Sequence, residues 1–115
     1  MRVTIKIAVF KHPNTTMRHL YYAYCPAFNM IGAGETVDYA VKEIERRLIL
    51  LLEHRGKYPS YFKGFGWEIT KDSIKVPTFT DEYAIKETKR IYEVENIEPQ
   101  IIETNVELPP IRERF

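Results

Sequence analysis

Val37, Ala40, Val41, Ile44, Leu48, Leu51 and Leu52 recur at spacings of three and four, so a helix over this stretch carries one continuous oily face. Lys42, Glu43, Glu45, Arg46 and Arg47 fall on its other side. Thr36 is a good N-cap residue, Asp38 complements the positive helix start, and His54, Arg55 and Gly56 suit the C-terminal end. A helix this one-sided needs an apolar surface to lie on, and the flanking chain must supply it.

The flanks do so with strands. Val3, Ile5, Ile7 and Val9 alternate with Arg2, Thr4, Lys6 and Ala8, the period of two that predicts a strand with one buried and one wet face. His12 to Thr15 is rich in turn formers, and Leu20 to Cys25 is rich in the aromatics that suit a pleated surface. The spacing predicts an antiparallel hairpin, with Pro26 ending or edging its second strand. A shorter third strand is expected around Phe28 to Ile31, before Gly32 and Gly34 break the chain.

Beyond the long helix, Gly56 to Gly66 mixes glycine and proline with aromatics and reads as an ordered loop. Trp67 to Ile69 and Ile74 to Val76 are expected as short strands about a turn at Thr70 to Ser73. Thr80 can cap a second helix that has Asp81 and Glu82 at its start and Lys86, Lys89 and Arg90 later. Ala84, Thr88 and Ile91 make it amphipathic. Ile102, Thr104, Val106 and Leu108 then alternate with Glu103, Asn105 and Glu107, which predicts a final strand with one wet face. The fold class is α+β: three N-terminal strands, a long helix and further strands over residues 1–76, then a helix and strand over 77–110 that extend the same domain, with 111–115 a charged tail.

The chain has 115 residues, 44% hydrophobic and 29% charged, enough apolar material for a core without staples. Cys25 is the only cysteine, so no disulfide framework exists, and a small buried hydrophobe is its expected role. Arg2 and Lys6 interrupt the first apolar stretch before a signal sequence could form, and the longest apolar run, Leu48 to Leu52, is far too short to span a bilayer. A soluble, cytoplasmic protein with no membrane partner is expected. Charge is uneven: residues 1–34 hold Arg2, Lys6, Lys11 and Arg18 with no acid, whereas residues 81–115 hold nine acids and five bases. That asymmetry can pair one end of the fold with the other, link subunits, face a basic partner, or belong to solvated faces that simply differ.

Residue types offer little for catalysis. His12, His19 and His54 with Cys25 match no structural zinc spacing, and Gly32-Ala33-Gly34 lacks the third glycine of a dinucleotide motif and the lysine of a P-loop, which leaves a helix-opening turn. No enzyme activity and no cofactor or metal are expected. The segment Lys57 to Trp67 interleaves bases with aromatics, and its residues Lys57, Tyr58, Tyr61, Phe62, Lys63 and Phe65 are candidate contacts for a partner or for single-stranded nucleic acid. The competing use of these rings is as core or subunit contacts.

Tyr22-Ala23-Tyr24-Cys25-Pro26, a short strand, and Gly34-Glu35-Thr36 opening an amphipathic helix with Ala40 in its first turns resemble the N-terminal domain of HicB-like antitoxins. The resemblance covers roughly residues 1–76. It implies a partial ribonuclease-H-like fold, a sheet covered by the helix, that in toxin-antitoxin systems binds a small basic RNA-cleaving toxin and often forms dimers or tetramers. A homo-oligomer and a small basic toxin-like partner are therefore expected, with a nucleic-acid-binding or regulatory protein, or a purely structural homo-oligomer, as alternatives. The first strand lacks the acid that ribonuclease-H-like metal chemistry needs, since the first carboxylate in the chain is Glu35. Helix followed by strand after Pro77 fits neither a ribbon-helix-helix nor a helix-turn-helix, so residues 77–115 are expected to extend the sheet or swap onto a neighbouring subunit.

Overall fold

The computed structural model describes residues 2–13, 21–53, 58–70 and 73–108. The elements in chain order are β1 (Arg2–Lys11), β2 (Tyr21–Cys25), β3 (Met30–Gly34), α1 (Val37–Glu53), α2 (Tyr58–Gly64), β4 (Glu68–Ile69), β5 (Ile74–Lys75), α3 (Asp81–Tyr92) and β6 (Gln100–Glu107). The fold is α+β. One antiparallel sheet has the order β3-β2-β1-β6, and β4 and β5 form a separate short hairpin.

Pairing register puts Val3 opposite Val106, Ile5 opposite Thr104, Ile7 opposite Ile102 and Val9 opposite Ala23, so these side chains share one face. That face meets Ala40, Val41, Ile44, Leu48 and Leu52 of α1 in a single buried cluster. Thr36 caps α1 as its chemistry predicts, its Oγ1 accepting from the Tyr39 amide at 3.1 Å. The Thr104 hydroxyl donates to Glu45 at 2.7 Å, which fixes one flank of the helix over β6. On the opposite flank, Arg47 donates to the Ile31 carbonyl at 2.7 Å and so marks the side over β3.

Three expectations are corrected. The second face of β1 is not wet throughout: Ala8 and Phe10 are buried there with Tyr24, beneath α3. Ala84 and Thr88 are small enough to bring α3 close to the sheet, and Tyr92 crosses its end with its ring 5.1 Å from Phe10 and 5.5 Å from Tyr22. The sheet is thus the middle of three layers. Secondly, Gly32 and Gly34 lie inside β3, where they let α1 approach. A Cβ on Gly32 would stand 3.1 Å from Ile44 Cδ1 and 3.2 Å from the Ala40 carbonyl oxygen. Thirdly, 58–64 is a short helix instead of a loop. Pro59 is tolerated in its first turn, and burial of Phe62 holds it in place although so short a helix has little stability of its own.

The remaining elements agree with the pattern. Pro26 directly follows β2, the β4-β5 turn is closed by the Thr70 amide donating to the Ser73 carbonyl at 2.8 Å, and Thr80 caps α3 by accepting from the Tyr83 amide at 3.1 Å. The C-terminal strand extends the same sheet, as β6 beside β1. The turn expected at His12 to Thr15 is described only as far as Pro13. The helix end at His54 to Gly56 and the tail 111–115 lie outside the described residues.

Candidate partner-binding surfaces

The aromatic segment is built chiefly into the core. Phe62 is fully buried, 4.6 Å from the Trp67 ring and 6.1 Å from Phe28. Trp67 is buried as well and donates its indole N–H to the Ala27 carbonyl at 2.6 Å, while the Tyr61 hydroxyl donates to the Phe28 carbonyl at 2.8 Å. These bonds tie α2 and the strand after it to the turn between β2 and β3. Phe62 therefore presents no open ring face on which a base or a partner side chain could stack. Tyr61 and Phe65 are half-buried against each other at 5.0 Å, and Lys63 is exposed. Tyr58 opens α2, and Lys57 lies outside the described residues.

The other chemistry-bearing residues are also placed by packing. Cys25 is buried, and burial pushes its thiol up to about 12, so it stays protonated at neutral pH and lacks thiolate reactivity. His12 rests 5.5 Å from the Tyr22 ring and 6.3 Å from Phe10; His19 and His54 lie outside the described residues. Among the described residues, no group of three or more His, Cys, Asp or Glu side chains could hold a metal ion. Gly32-Ala33-Gly34 is strand, not a helix-opening turn. A Cβ on Gly34 would lie 2.6 Å from that of Tyr39, so the space a phosphate cradle needs is filled by α1.

Part of the charge asymmetry is neutralised within the fold. Lys6 reaches Asp81 at 2.6 Å and the Phe79 carbonyl at 2.8 Å, joining the start of α3 to the sheet, and Arg2 lies 3.5 Å from Glu107. The C-terminal part of the fold still exposes a run of acids. Glu93, Glu95 and Glu98 line the connection between α3 and β6, and Glu103 is exposed on β6 itself.

Among the described residues, β3 and β6 are the edge strands of the sheet, and they differ in kind. β6 offers eight residues bordered by glutamates, the charged trim that discourages pairing with a like strand. β3 reads Met30-Ile31-Gly32-Ala33-Gly34 and carries no charge. The large apolar side chains exposed among the described residues are Ile31 (45%), Tyr39 (66%), Leu50 (49%) and Tyr83 (44%). Ile31 is in β3. Tyr39 and Leu50 lie on the side of α1 turned away from the sheet, opposite Val41, Leu48 and Leu52, and Tyr83 stacks on Phe79 at 5.2 Å. Sequence periodicity alone does not single out these four residues, which come from three elements.

Comparison with protein-family models, with curated proteins and with solved structures gives no match for this chain. Its class therefore rests on the architecture itself, an α+β domain with one acidic and one uncharged sheet edge. No helix among the described residues is long and apolar enough to cross a membrane.

Proposed function

We propose that this chain is a HicB-like protein-interaction module, an antitoxin or an orphan relative of one, that docks a small basic partner protein and acts by occlusion instead of catalysis. The observation that carries this reading is the run of exposed acids from the α3–β6 connection into β6: Glu93, Glu95, Glu98 and Glu103 are all exposed, and among the described residues β6 is an edge strand of the sheet. Such an edge repels a second copy of itself yet accelerates encounter with a basic surface, and it leaves backbone groups to which a partner strand can add. The order of strand, strand, strand and capped amphipathic helix is the feature shared with HicB-like antitoxins.

Co-expression with the protein encoded beside it tests the proposal. The expected result is a co-purifying complex and loss of the neighbour's toxicity. Glu95→Lys, Glu98→Lys and Glu103→Lys combined should weaken the complex by at least about 100-fold at low salt, as removal of several complementary charges does. An inert neighbour that forms no complex defeats the antitoxin reading. Salt-sensitive binding of single-stranded RNA in its place would favour the nucleic-acid alternative.

A further inference from the structure

We propose that α3 is a hinged cover: it lifts from the sheet as one unit, while the sheet, α1 and α2 stay folded, and so bares an aromatic face that the closed form hides. The inference is independent of the partner reading, which rests on the acidic run beyond this helix.

The two sides of the sheet are secured unequally. Beneath α1 the strands share one continuous core with Ala40, Val41, Ile44, Leu48 and Leu52, and α2 with the chain after it joins that core through Phe62, Trp67 and Ile69. No residue of α3 belongs to it, and neither do Ala8, Phe10 and Tyr24, which are buried on the α3 side. The side chains that α3 itself buries are Ala84 and Thr88. Both are small, so the apolar area that holds α3 down is far less than the area under the leucines and isoleucine of α1.

Much of the polar bonding of α3 travels with it. The Thr88 hydroxyl donates to the Ala84 carbonyl at 2.6 Å, Thr80 caps the start, and at the end the Val94 amide donates to the Lys89 carbonyl at 3.1 Å around Glu93, which is left-handed at φ 56°. Glu87 and Arg90 pair within the helix at 3.0 Å. Lifting the helix breaks none of these. The side-chain bonds that it does break sit at the two ends: Lys6 of β1 donates to the Phe79 carbonyl at 2.8 Å and to Asp81 at 2.6 Å, and the Tyr92 hydroxyl donates to the Ala23 carbonyl at 2.7 Å. Beyond these clasps lie the connecting stretches 76–80 and 93–96, none of whose residues is buried, so both can act as hinges. Two clasps, a lightly apolar span between them and exposed connections on either side make a unit with its own opening equilibrium.

Strand register sets what opening exposes. Ile101, Ala8, Tyr24 and Ile31 stand side by side across β6, β1, β2 and β3, and Phe10 with Tyr22 forms the next row. Ile31 is already 45% exposed, so the apolar row runs from the surface to beneath the helix.

Native-state hydrogen exchange of the full chain, read by mass spectrometry, tests the proposal. Amides of α3 should be protected at least about 100-fold less than those of α1, through an opening that responds only weakly to urea. Ile44→Val thins the core that the closed and open forms share, so α1 should exchange about fivefold faster while α3 keeps its rate. Tyr92→Phe removes a clasp made only in the closed form, and should quicken α3 and α1 alike by about fivefold. A second measurement needs no exchange data: in a Cys25→Ala background, Ala84→Cys should react with a water-soluble maleimide at least about 100-fold faster than Ala40→Cys. One common protection factor for α3 and α1 overturns the inference, and so does an Ile44→Val variant in which both helices quicken together. Either result leaves capture of a basic partner to be judged on its own.

Discussion

Three glycines given the same substitution should respond in three different ways, and the distances say how. Gly34→Ala places a methyl group 2.6 Å from Tyr39 Cβ, 2.8 Å from the Ala40 nitrogen and 2.9 Å from the Tyr39 carbonyl carbon. Two of those atoms are backbone in the first turn of α1, so the helix start must move away from the sheet that Ala40 and Ile44 cover. Overpacking of this kind costs typically 1–3 kcal/mol, and backbone contacts place Gly34→Ala at the upper end, about 3 kcal/mol. Gly32→Ala meets Ile44 Cδ1 at 3.1 Å, which can yield, and the Ala40 carbonyl at 3.2 Å, which yields less; about 1–2 kcal/mol is expected. Gly64→Ala, at the end of α2, meets nothing within 4 Å and should gain about 0.5 kcal/mol by restricting the unfolded chain. Urea unfolding followed by tryptophan fluorescence and circular dichroism orders the three. Equal costs at positions 34 and 64 would refute the close approach of α1 to β3 on which the fold description rests.

Trp67→Phe keeps an aromatic ring but deletes the indole N–H bonded to the Ala27 carbonyl, and should cost about 2–3 kcal/mol in chemical denaturation. Thr80→Ala removes the α3 cap and should cost about 1 kcal/mol, visible as a lowered thermal midpoint. Alkaline pH should unfold the protein. Burial holds the Cys25 thiol, ordinarily near 9.0, at about 12, and the Tyr24 and Tyr92 hydroxyls, ordinarily near 10.0, also at about 12. The unfolded chain therefore releases these protons first, so stability is intact below pH 9 and falls as pH rises to about 12. A Cys25→Ala variant should begin its decline nearer pH 10, and a stability that stays level from pH 9 to 12 would contradict the burial of all three groups.

The sequence by itself determined the elements whose patterning is periodic and local. Alternation from Val3 to Val9 and from Ile102 to Leu108, the three-and-four spacing from Val37 to Leu52, and the caps at Thr36 and Thr80 each follow from nearest-neighbour geometry, and each stands where that geometry places it. Only the tertiary structure decided the rest. Gly32 and Gly34 carry break signals locally, yet they form strand because α1, through Tyr39, Ala40 and Ile44, needs the room. Pro59 and the neighbouring glycines suggest a loop, but 58–64 is helical because burying Phe62 outweighs poor local propensity. The second face of β1 is covered by α3, a helix some 75 residues away in the chain, through Lys6 and Asp81. The two contrasting sheet edges belong to the same category. An edge is defined by which strand finds no neighbour, and that follows from the packing of every layer at once, not from the residues of the strand alone.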